Sequence, residues 1–136
     1  MKQWKVNGET FEFKFKMNDA NSMEKFMKIC YELGEYGQQA PKDMDMIDEI
    51  KYVIKGYRTF FDKVFGRGTA KKIFKDSTDM DEYDEVYEDF LNFVAQCRAE
   101  ANDRHSSYVG RITSGIDKER MKEVKKDLSN RYSKES

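Results

Sequence analysis

The sequence has one proline, one histidine and two cysteines in 136 residues. Each shortage closes a class of explanation. With Pro41 the only helix breaker of its kind, long helices can run without interruption. His105 has no second histidine and no cysteine cluster beside it, so a zinc set has too few ligands, and no metal or cofactor is expected. It sits at the end of a predicted helix, where an imidazole can hydrogen-bond the last free carbonyls. Cys30 and Cys97 fall on apolar helix positions and are expected to be reduced and buried as small hydrophobes. Neither charge dominates: 25 basic and 26 acidic residues leave a formal net charge of −1, which gives no general case for nucleic acid or a membrane surface. No apolar run approaches the ~20 residues of a membrane span. Met1 opens a polar, alternating segment unlike a signal peptide, and a cytoplasmic protein is expected.

What is present is aromatic and helical. Aromatic residues make up 14% of the chain, which argues against disorder despite 38% charged residues. At the N-terminus, "WKV" and "TFEFKFKM" flank Asn7-Gly8, a dipeptide suited to a type I′ turn. That loop sets Val6 opposite Glu9 and Trp4 opposite Phe11. Trp4, Val6, Phe11, Phe13 and Phe15 then share one face, which must rest on helices because a two-stranded sheet is marginal alone.

Periodicity predicts the helices. The first is capped by Asn21 with Glu24 as reciprocal partner, carries a stripe of Met23, Phe26, Met27, Cys30 and Leu33, and ends at Gly34 or Gly37. The second runs from Asp43 to Phe65 and is apolar over a wide arc: Ile47, Ile50, Ile54, Tyr57, Phe61 and Val64, with Met46, Val53 and Phe60 beside them. Such a helix packs on two neighbours. A short helix follows from a Thr69 cap to Phe74. Another, capped by Thr78 or Asp79, continues to His105 or Tyr108 along Tyr83, Tyr87, Phe90, Val94, Cys97 and Ala101. "VGRITSG" breaks it, and an amphipathic helix begins at Asp117 with Met121, Val124 and Leu128. The expected architecture is mainly α, a bundle of four to five helices with an N-terminal β-hairpin. Residues 1–108 form the hairpin and helical core, and residues 109–136 a C-terminal amphipathic helix and tail.

Two stretches invite chemistry. In "FFDKVFGRGTAKKIF", Gly66 and Gly68 stand one residue apart after a helix, whereas a phosphate-binding loop needs four intervening residues after a strand. The structural reading is a joint, with Gly66 in the left-handed helix-ending conformation and Gly68 turning into the Thr69 cap. The second stretch, "DSTDMDEYDEVYED", places eight carboxylates between Asp76 and Asp89 with no Lys or Arg, and no frame fits an EF-hand. Acids in a first turn oppose the helix macrodipole. Asp81, Glu82, Glu85, Glu88 and Asp89 extend further, either as a solvated face or as a surface that docks a basic partner.

The "VNGETFEFKF" hairpin, the helix containing "MEKF", the long helix ending in "FFDKVFGRGTAKKIF" and the aromatic helix after it together resemble a known group. These are short proteins from phages and prophages of Gram-positive bacteria, tail assembly chaperones whose genes lie in the tail module. The likeness covers most of residues 4–105 and is most specific from Phe60 to Phe74. It departs at "KDSTDM", where such sequences carry a glycine pair and Asn-Leu, and at the terminal "YSKES", where they carry arginines. The resemblance implies a non-catalytic protein that binds the tape-measure protein, helps recruit tail-tube subunits, self-associates in some members and leaves before the virion matures. The alternative is a small helical adaptor or regulatory protein with another protein partner.

Overall fold

A computed structural model describes residues 2–113 and Lys126. The elements in chain order are β1 (Lys2–Val6), β2 (Glu9–Phe13), α1 (Ala20–Gln38), α2 (Met46–Phe65), α3 (Thr69–Phe74) and α4 (Met80–Thr113). The fold is mainly α with an N-terminal β-hairpin, as its periodicities predict. The chain divides into two compact units, Met1–Arg98 and Ala99–Ser136. The helix expected from Asp117 lies outside the described residues.

The hairpin has the expected register, with Val6 opposite Glu9 and Trp4 opposite Phe11. Asn7 and Gly8 both take positive φ, 50° and 77°, as a type I′ turn requires. The Asn7 side-chain amide donates to the Ile73 carbonyl at 3.1 Å, which ties the turn to the end of α3. The aromatic face rests on α2 and α4. Trp4 stacks on Phe61 and Phe65 at 5.6 and 5.3 Å and meets Phe90 edge-on at 5.2 Å. Phe13 meets Phe26 of α1 and Phe90 and Phe93 of α4 edge-on and Phe65 of α2 at a tilt, so all three long helices converge under one strand. Offset and edge-on pairs of this kind add to the area they bury.

Helix boundaries differ from the expectation in instructive ways. Asp19, not Asn21, caps α1, accepting from the Ser22 amide at 2.9 Å. Either side chain can cap, and the earlier one adds residues to the helix. Neither Gly34 nor Gly37 ends α1, which runs on to Gln38. A glycine inside a helix costs only ~1 kcal/mol, less than packing can return. The start of α2 is Met46 rather than Asp43, with Asp45 as its cap. Asp79 fills the cap position of α4, accepting from the Asp81 amide at 3.1 Å. That helix passes through Val109 and Gly110 to Thr113, beyond the break expected at Tyr108.

Packing also corrects the predicted stripes. Met27, Met46 and Ile47 are exposed, while Val86, absent from the predicted stripe of α4, is buried. Within α1 only Phe26 is fully buried. Helices α1 and α2 approach closely at Gly56, where a Cβ would lie 2.6 Å from the Tyr36 ring. Above it the Tyr36 and Tyr52 rings stack at 4.1 Å. The Tyr36 hydroxyl donates to the Tyr52 carbonyl (2.7 Å), and the Tyr52 hydroxyl donates to the Tyr36 carbonyl (2.6 Å).

Candidate partner-binding groove

The glycine joint is built from its own chain. At the end of α2, Gly66 has φ 115° and an extended ψ of 159°; the left-handed helical conformation expected of it belongs to Gly68 (φ 91°, ψ −4°). Gly68 also holds the cap position assigned to Thr69. Thr69 is instead the buried first residue of α3, and its hydroxyl donates back to the Gly66 carbonyl at 2.7 Å. The Asp62 carboxylate accepts from the Ala70 amide at 2.9 Å. An anion at the start of α3 would need that amide, and a side chain already occupies it. Phe74 then stacks on Tyr83 at 3.9 Å, while Arg58 donates to the Tyr83 hydroxyl and the Lys75 carbonyl. Lys71 and Lys72 point to solvent.

The acidic residues of α4 fall into two sets. Asp81, Glu85 and Glu88 are spaced i, i+4, i+7, are exposed along one stripe, and make no side-chain hydrogen bond or ion pair among the described residues. Glu82 and Asp89 lie on the other flank and serve the fold. Glu82 accepts from the Ser77 hydroxyl at 2.6 Å, and Asp89 accepts from the Trp4 indole N–H at 2.9 Å. The hydrogen bond satisfies the one polar atom of a nearly buried tryptophan. The signal for it was an acid at the edge of an aromatic face, visible only once the hairpin is placed.

Between the C-terminal half of α1 and the N-terminal half of α2 runs an apolar groove of about 280 Å³, closed at one end by Tyr87 of α4. Leu33, Tyr36, Val53 and Tyr57 form much of its wall. The Tyr57 hydroxyl donates to Asp84 at 2.8 Å. Burial, reinforced by that hydrogen bond and the Asp84 charge, pushes the Tyr57 phenol well above its usual range, so it remains a donor. Burial likewise raises Cys30, and burial together with the nearby Cys30 raises Tyr87. Beyond the groove's end, α2 continues into Met46 and Ile47, which are 73% and 64% exposed. On α4, Leu91 lies one turn past Tyr87 and is also exposed.

The groove's lining is mainly aliphatic and aromatic, with Glu49 its one charged residue. Every buried side-chain nitrogen or oxygen among the described residues has a hydrogen-bond partner. No group of His, Cys, Asp or Glu among them could hold a metal ion. No helix among them is long and apolar enough to cross a membrane.

A family of unknown function, DUF6673, matches residues 7–133. No curated protein and no solved structure matches the chain.

Proposed function

We propose that this chain, which belongs to the DUF6673 family of unknown function, is a non-catalytic chaperone of phage tail assembly. On this reading it binds the tape-measure protein and aids tail-tube assembly in the cytoplasm of the host cell, and it is absent from the mature virion. The supporting observation is the apolar groove between α1 and α2, beyond which α2 carries exposed Met46 and Ile47. A small domain that leaves side chains of this size uncovered next to a groove has surface suited to another protein's apolar segments. The likeness to tail assembly chaperones, strongest from Phe60 to Phe74, names which protein. The aromatic packing of the joint and the Asp62 bond to Ala70 favour a structural role for that segment.

The test is co-expression with the tape-measure protein. The expected outcome is a complex that co-purifies and a higher soluble yield of the tape-measure protein. An unchanged yield with no co-purification would defeat the proposal and leave the adaptor reading, for which a pull-down from infected host cells would supply the partner.

A further inference from the structure

Among the described residues only Asn7 and Lys75 take a positive φ without being glycine. Asn7 belongs to the hairpin turn, where such a φ is ordinary. Lys75, at the end of α3, has φ 53° and ψ −121°. The Ser77 amide donates to the Phe74 carbonyl at 3.0 Å, so Lys75 is the first central residue of a turn with type II′ geometry. That position suits glycine, because a Cβ there crowds the backbone.

A strained backbone persists where its surroundings over-determine it. Here they consist of one guanidinium and one phenol. Arg58 of α2 donates to the Lys75 carbonyl at 3.1 Å and to the Tyr83 hydroxyl at 2.8 Å. That hydroxyl donates in turn to the Ser77 carbonyl at 2.8 Å, so the carbonyls on both sides of Asp76 are held. Tyr83 is a fixed anchor, fully buried and stacked on Phe74 at 3.9 Å. Arg58 is only half-buried, and among the described residues no carboxylate pairs with it.

We propose that this junction between α3 and α4 is a latch. Arg58 holds the turn in a conformation that is costly for Lys75. When the guanidinium lets go, Lys75 leaves its strained conformation and residues 75–79 open while the aromatic core stays folded. Relaxation of Lys75 offsets part of the hydrogen bonding lost, so the junction opens well before the domain unfolds. This latch stands apart from the partner-binding reading, and the isolated chain suffices to test it.

Native-state hydrogen exchange of the full chain, followed residue by residue by NMR and corrected for intrinsic rates, reads the opening. At low urea, protection of the Lys75 and Ser77 amides should be lower than that of Phe61 and Phe90 and nearly independent of urea, as for a small opening. Arg58→Met keeps the apolar stem and removes the donors. It should lower protection at Ser77 by about tenfold, the effect of losing a charge-assisted hydrogen bond. Lys75→Gly should raise it by about fivefold, and should restore most of the protection lost in Arg58→Met. Three results overturn the latch. One is a urea dependence at Ser77 as steep as that of Phe61, since the junction would then open only with the whole domain. Another is an Arg58→Met variant with unchanged protection at Ser77. The third is a fall in protection in Lys75→Gly, which is what glycine's extra freedom would cause in an unstrained turn.

Discussion

Toward its C-terminus, α2 presents Phe60, Phe61 and Val64, all buried; toward its N-terminus it presents Met46 and Ile47, both mostly in solvent. One continuous apolar pattern runs through both halves. The difference lies in what covers them. Trp4 and Phe90 close over the C-terminal half, whereas the N-terminal half has the edge of α1 and, at one end, Tyr87. Where the stripe outruns its cover, a core becomes a groove. Apolar periodicity alone marks a face that wants burial, and only tertiary placement says whether this chain or another one buries it.

Phe90→Ala tests the closed half and should have the largest effect. Its ring meets Trp4, Phe13, Phe60, Phe61 and Phe65, so truncation leaves a cavity that several rings cannot collapse into together. A loss of about 3–5 kcal/mol is expected, a large share of the ~5–15 kcal/mol typical of a domain. Urea denaturation followed by circular dichroism measures it. A loss below about 1 kcal/mol would mean that the two halves are equally loosely packed.

Glycine substitutions compare the α1–α2 seam with the open side of α1. A methyl group at Gly56 meets the Tyr36 ring, which is held by its stack on Tyr52 and two reciprocal hydrogen bonds. Gly56→Ala should therefore destabilise by roughly 1–3 kcal/mol. At Gly34 nothing lies within 4 Å of an added Cβ. Gly34→Ala should instead stabilise by about 0.5–1 kcal/mol, because alanine loses less backbone freedom in a helix. Thermal unfolding of the pair reads opposite signs. Shifts of the same sign would remove the contrast between seam and open face.

The fold was legible where a local rule acts alone. Asn7-Gly8 dictates the turn and with it the register, and the three-four spacing of α2 marks it as the central helix. Boundaries were less legible because several residues satisfy the same rule: Asp19 and Asn21 can both cap, and Gly34 and Gly37 can both be carried inside a helix. The site was legible in part. The acidic bias of α4 is plain in the sequence, but the sharing of its carboxylates is not. Asp89 serves the Trp4 indole across 85 positions of sequence, and no spacing rule reaches that far. Gly56 is a missed signal. An isolated glycine in so apolar a helix costs stability unless a neighbour needs the space, and Tyr36 does.

On the open half, Met46→Ser should change stability by no more than about 0.5 kcal/mol, since the side chain is already mostly hydrated. Unfolding midpoints of parent and variant should coincide. A clear stability loss would show that Met46 is covered in solution, and the contrast between the halves would have to be redrawn.

The smallest effect belongs to the rim of the seam. Lys63 donates to Glu32 at 2.6 Å and holds its carboxyl below the ordinary range, with nearby charge from Lys28 adding to the shift. A carboxyl depressed in the folded state contributes stability above its unfolded pKa, and that contribution disappears as pH falls through the folded value. Glu32→Gln should thus differ slightly from the parent near neutral pH and converge with it in acid. Both partners are solvent-accessible, so screening keeps the difference small and added salt should shrink it further. A difference that grows on acidification would reverse the sign and show that Glu32 is paired more strongly in the unfolded chain than across the α1–α2 seam.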